Sequence, residues 1–162
     1  MHIRPATVND SAILANLISE SNKDVAALFG LNRENCPKHP SFCEAGWIES
    51  DIARGELYFI AELEAGPVGC VATEYPSPHI AYLNRLAVLP THRRQGIGAA
   101  LTEFVLQLAR QHGVQSVSIG VIGEHVALQR WYQTFGFVAG ELKQFEHLPF
   151  SVRYMAYVVS AA

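Results

Sequence analysis

The sequence predicts a mixed α/β fold built as one domain over residues 1–162, and three observations carry that expectation. An apolar run of strand character, residues 80–89, stops at Pro90, which has no N–H to give to a central ladder. Beyond it Ile97, Leu101, Phe104, Val105 and Leu108 recur at the three- and four-residue spacing of one buried helix face. Residues 57–63 and 68–74 read as two strands of a β-hairpin, joined by the turn signal Glu64-Ala65-Gly66-Pro67.

The other elements fall into place around these. Residues 2–6 are short and strand-like, and Asn9, Asp10 and Ser11 supply capping side chains ahead of Ile13, Leu14, Leu17 and Ile18. That helical pattern fades at Phe29-Gly30, and residues 31–45 are irregular because Pro37 and Pro40 forbid a continuous helix. Trp47, Ile48 and Ile52 suit a second short helix that ends near Gly55. Gln111-His112-Gly113 closes the helix that began at Ile97, and residues 114–122 alternate β-branched residues with serine as a strand does. Leu128, Trp131, Tyr132 and Phe135 share one face of a helix within residues 124–137. Phe137 and residues 151–159 supply the final strands, with residues 141–149 between them.

Composition excludes several functions. A net charge of −3 offers no bulk attraction to nucleic acid or to a membrane surface. No apolar run approaches the roughly 20 residues of a membrane span, and the start Met1-His2-Ile3-Arg4-Pro5 lacks the apolar stretch of a signal peptide. The three cysteines, Cys36, Cys43 and Cys70, cannot all pair within one chain, so a reducing, cytoplasmic compartment is expected. Cys36, His39 and Cys43 have a spacing that zinc could use, but no fourth ligand stands nearby except a makeshift Glu44. The expectation is therefore no metal, with small thiols buried in an ordered loop.

The loop between residues 90 and 98 carries the chemistry. Basic residues and two glycines precede a helix N-terminus, where backbone N–H groups and the helix dipole favour a phosphate or pyrophosphate. Gly96 and Gly98, having no Cβ, are expected to admit close backbone approach. A Walker loop is excluded because its Gly-x-x-x-x-Gly-Lys-Ser/Thr run is missing. A dinucleotide fingerprint is incomplete, because Leu101 occupies the place of its third glycine. The full string Val88-x-Pro90-x-x-Arg93-x-x-Gly96-x-Gly98 resembles the acyl-CoA-binding motif of the GNAT superfamily of N-acetyltransferases. Leu128-x-x-Trp131-Tyr132-x-x-x-Gly136-Phe137 resembles the second motif of that family, and Arg4-Pro5-Ala6-Thr7-x-x-Asp10 its usual opening.

The resemblance implies a mostly antiparallel sheet of about six or seven strands, splayed at the CoA site and flanked by about four helices. It implies acetyl-CoA as co-substrate and a primary amine of a small molecule or peptide as acceptor, attacked directly with no protein nucleophile. The cofactor-binding residues would be Leu86, Ala87, Val88, Arg93, Arg94, Gln95, Gly96, Ile97, Gly98 and Ala99. His125 would join them, standing where the family often has asparagine. The irregular loop at 31–45 would form a wall of the acceptor site, and a homodimer stays open. The Val88 N–H would stabilise the oxyanion and Tyr132 would protonate the leaving thiolate. A phenol near its ordinary ~10 and a thiol near ~8.5 make that transfer uphill by only ~2 kcal/mol. Many members carry a glutamate four residues before the strand valine, but Asn84 stands there and a neutral amide is no base. Glu74, His79 or a water relay would have to serve, Glu74 being the residue of choice. The missing carboxylate also motivates the competing reading, a catalytically silent acyl-CoA-binding module.

Overall fold

A computed structural model describes residues 1–160. Its strands are β1 (His2–Pro5), β2 (Leu57–Leu63), β3 (Gly66–Glu74), β4 (Ile80–Val88), β5 (Ser116–Ile122), β6 (Val138–Gln144) and β7 (Ser151–Val158). Its α-helices are α1 (Ser11–Phe29), α2 (Ala45–Arg54), α3 (Ile97–His112) and α4 (Val126–Gln133). The strands make one seven-stranded sheet of order β1-β2-β3-β4-β5-β7-β6. Strands β4 and β5 pair in parallel, and the pairs β1–β2, β2–β3, β5–β7 and β6–β7 are antiparallel. The mixed, mostly antiparallel sheet with four helices is therefore present. The chain groups into two compact units, residues 1–74 with 83–105, and residues 75–82 with the chain from Leu106 onward.

In the first unit the hairpin is tight, since Leu63 pairs with Gly66 and leaves only Glu64 and Ala65 in the turn. Helix α1 buries Leu14, Leu17 and Ile18 against Ile48 of α2 and against Tyr58, Ile60, Cys70 and Ala72 of β2 and β3. Each such aliphatic side chain contributes roughly 1.5–3 kcal/mol by leaving water. Ile13, expected on that face, is instead 40% exposed, because Leu14 and its neighbours a turn apart already fill the stripe. The cap also differs from expectation. Thr7 Oγ1 accepts from Asn9 N while the Asp10 carboxylate accepts from Thr7 N, a capping box on the 3-10 turn Val8–Asp10 that leads into α1. Asp10 is thereby engaged, also by Arg4, and gives α1 no side-chain cap of its own. Gly69 is required by packing: a Cβ there would lie 2.8 Å from the Ala87 carbonyl oxygen, so β3 and β4 could not sit as they do.

In the second unit β5 lies against β7 over residues 116–122, with Val117 and Met155 buried. Helix α4 is shorter than expected, and its aromatic face continues through the turn after it. Trp131 meets Phe135 edge to face at 4.7 Å, and Tyr132 meets Phe137 at 5.5 Å. Residues 141–149 do not all lie between strands, because β6 extends through Gln144 and pairs Leu142, Lys143 and Gln144 with Arg153, Val152 and Ser151. Every residue of β6 is exposed and a bulge interrupts it between Ala139 and Leu142, so no alternation of apolar and polar residues marked it.

Candidate functional site

In the first unit, β4 gives way at Leu89 to the 3-10 turn Pro90–His92, and α3 starts at Ile97, whose side chain is buried. Between them Arg94 (φ 62°) and Gly96 (φ 81°) are left-handed, the kind of backbone from which anion-binding turns are built. The amides of Ile97, Gly98 and Ala99 precede the first intrahelical bond, from Ala100 N to Gly96 O at 3.0 Å, and so have no helical acceptor. Gly96 is needed for its backbone conformation rather than for crowding, since a Cβ there would meet nothing within 4 Å. Helix-start amides without an acceptor are of the kind that bind an anionic phosphate. The Arg93 guanidinium pairs with Asp24 of α1 and donates to Ser21 O at 2.6 Å, bracing the loop against that helix. This pairing holds the Asp24 carboxyl below its usual value. Leu86 and Val88 are half-buried and Ala87 is buried on β4, while Arg94 and Gln95 are exposed.

The same unit holds a polar network that no sequence motif announced. Glu56, at the entrance to β2, is buried; its Oε1 accepts from Asn84 Nδ2 at 2.9 Å and its Oε2 from Arg54 Nη2 at 3.2 Å. Asn84 Nδ2 also reaches Glu74 Oε1 at 3.3 Å, and Arg54 Nε lies 3.5 Å from Glu74 Oε2. Beside them Tyr58 donates to Asp51 Oδ2 at 2.5 Å and Arg85 Nη2 lies 3.5 Å from the same oxygen. Burial raises the Glu56 carboxyl above its ordinary value, and the Asn84 hydrogen bond opposes it. Burial and then the bond to Asp51 raise the Tyr58 phenol. Arg85 is itself left-handed (φ 55°) in the middle of β4, a strained non-glycine position. Its guanidinium lies 5.9 Å from the Trp47 ring, and Lys38 Nζ lies 5.5 Å from the same ring. For Glu56 the only signal in the sequence was a charged residue directly ahead of an apolar strand.

Cys36, His39 and Cys43 are all buried, and His39 Nδ1 shares a 2.7 Å hydrogen bond with Ser41 Oγ. Burial raises both thiols and lowers the imidazole, so each resists ionisation. Among the described residues they form no group able to hold a metal ion.

In the second unit His125 is half-buried just ahead of α4, and its carbonyl accepts from Gln129 N at 3.3 Å. Tyr132 is 5% exposed, and burial lifts its phenol above the ordinary value assumed from sequence. His79 is exposed, and its carbonyl accepts from Gln115 N at 2.8 Å and Ser116 N at 3.2 Å.

Residues 23–137 match the acetyltransferase (GNAT) family. N-acetyltransferase 8 of Homo sapiens is 35% identical over 89 residues, which make up 52% of this chain and 39% of that protein. The chain thus spans less than half the length of the curated relatives it matches. The ribosomal-protein-S18-alanine N-acetyltransferase from Escherichia coli superposes with a TM-score of 0.79 at 18% identity, covering 99% of this chain and 95% of that one. The paia N-acetyltransferase from Thermoplasma acidophilum, solved in complex with coenzyme A, gives 0.80 at 17% identity over 97% and 98%. At those identities the two structures establish a common fold.

Proposed function

Because this chain belongs to the GNAT family of acetyltransferases, we propose that it transfers the acetyl group of acetyl-CoA to a primary amine of a small molecule or peptide. The observation that carries the reading is the loop of residues 93–99, with its left-handed Arg94 and Gly96 and the helix-start amides of Ile97, Gly98 and Ala99, which have no helical acceptor. Those amides, with the positive end of α3, would hold the CoA pyrophosphate, and Leu86, Ala87 and Val88 would offer backbone groups to the pantetheine arm. Acetyl-CoA brings an activated thioester. The amine nitrogen forms a bond to its carbonyl carbon, the carbon–sulfur bond breaks, and the amine's surplus proton leaves to a base. The Val88 N–H stabilises the oxyanion, Glu74 takes the proton from the amine, Tyr132 protonates the departing sulfur, and His125 contributes a hydrogen bond to the arm. The loop of residues 31–45 would form one wall of the acceptor site, and its Lys38 Nζ lies 5.5 Å from the Trp47 ring. Three free, buried thiols suit a reducing, cytoplasmic setting.

The absence of a carboxylate at position 84 favours a second reading, an acyl-CoA-binding module without turnover. A panel of primary amines and peptide N-termini, incubated with acetyl-CoA while thiol release is followed, separates the two. Release that depends on an amine supports transfer. Tight acetyl-CoA binding with no release from any amine supports the module.

A further inference from the structure

We propose that Glu56 is a positioning residue for deprotonation of the acceptor amine, acting through Glu74, to which Asn84 and Arg54 tie it; this rests on the acetyl-transfer reading. The two carboxylates share both of their donors. Asn84 Nδ2 reaches Glu56 Oε1 at 2.9 Å and Glu74 Oε1 at 3.3 Å, while Arg54 reaches their second oxygens at 3.2 and 3.5 Å. One amide on β4 and one guanidinium on α2 therefore fix the pair's geometry. The Glu56 side chain is 2% exposed and that of Glu74 is 24% exposed, so only Glu74 can meet a ligand.

Two carboxylates on common donors repel each other when both are charged, and the shared amide and guanidinium offset part of that repulsion. The surrounding charges agree. From α2 come Asp51 and Arg54, from β2 Tyr58, from β3 Glu74 and from β4 Arg85. Asp51 takes the Tyr58 hydroxyl, Arg85 and also Arg54 Nη1 at 3.3 Å, so the Arg54 guanidinium serves three carboxylates while the Asn84 amide serves the two glutamates. Burial, Asp51 and Glu74 all raise Glu56, against Asn84 and Arg54.

An amine reaching the enzyme as ammonium must lose a proton before its lone pair can attack. That N–H proton passes to Glu74, whose carboxylate Glu56 holds in place through Asn84 and Arg54. A carboxylate below the surface costs stability that an uncharged glutamine would not, so a purely architectural role explains it poorly. Asn84 takes a corresponding part: in place of a carboxylate on β4, it presents an amide that aligns carboxylates from β2 and β3.

The test uses the full chain and whichever panel amine releases CoA fastest, with kcat and KM followed against pH for wild type, Glu56→Gln and Asn84→Ala. Melting curves and acetyl-CoA affinity are recorded alongside. Glu56→Gln removes a charged acceptor from the donors it shares with Glu74, so Glu74 loses its fixed placement. The plateau kcat falls, while KM and acetyl-CoA affinity stay near wild type. Asn84→Ala, which releases the pair, lowers kcat likewise and covers the case in which Glu56→Gln does not fold. An unmoved plateau kcat in a folded Glu56→Gln, with wild type active, overturns this inference and leaves acetyl transfer standing. No transfer by wild type to any amine overturns both.

Discussion

Tyr132 presents the sharpest case at the scale of single residues. Its ring is packed against Trp131 and Phe137, and burial holds its phenol protonated. Tyr132→Phe keeps that packing and removes one hydroxyl, so melting temperature and acetyl-CoA affinity should be nearly unchanged. As general acid, the hydroxyl is worth about 10²–10⁴-fold in turnover, seen in kcat because the proton moves only in the transition state. Steady-state kinetics with an amine identified in the panel check this, and a wild-type rate would remove Tyr132 from the mechanism. Asp10 makes a stability prediction with a definite sign. The Arg4 guanidinium, and after it the Thr7 N–H, hold its carboxyl below the usual value. A depressed carboxyl contributes stability that is fully present above the unfolded value of about 3.9 and is lost as pH falls toward the folded one. Asp10→Asn keeps an acceptor for Thr7 N but loses the ion pair with Arg4, so it should cost roughly 0.5–1 kcal/mol at neutral pH. Its deficit should shrink in melts run at progressively more acid pH, where wild type loses the same interaction.

Among the elements, the join of β4 to α3 decides most. Gly96 sits at φ 81° with no neighbour for a Cβ, so its role is conformational. Gly96→Val forces a β-branched residue into the left-handed region at a cost of about 1–2 kcal/mol, or else turns the amides away. The far-UV circular dichroism should keep its shape while CoA no longer raises the melting temperature. A full CoA response in this variant would move the phosphate site elsewhere. Two devices hold this join in place. Arg93 crosses to Asp24 and Ser21 of α1, and Gly69 lets the Ala87 carbonyl approach β3 closely.

For the whole chain, a ligand that binds only the folded state adds stability by mass action. CoA at 100 times its dissociation constant should add roughly 2.7 kcal/mol. For a chain of this size that is a rise of about 5–10 °C in melting temperature, measured by calorimetry with and without CoA. A melt that millimolar CoA leaves unmoved would contradict the pyrophosphate site.

Sequence alone determined the features written by local chemistry. The hairpin of β2 and β3, the stop at Pro90, the start of α3 and the aromatic face around Tyr132 all follow from period, turn residues and backbone limits. Strand β6 was half hidden, because a strand exposed on every residue carries no alternating pattern. The cap of the first helix was misplaced by a few residues, since several adjacent polar side chains could fill the role and only geometry chose Thr7 with Asp10. Tertiary structure alone decided what Arg93 is for, because its partner Asp24 lies 69 positions away in the chain. It also decided the pairing of Glu56 with Glu74, which come together only when α2, β2, β3 and β4 pack around Asn84 and Arg54. Charge–charge and hydrogen-bond partners distant in sequence have no spacing rule, so such a site becomes visible only once the sheet has formed.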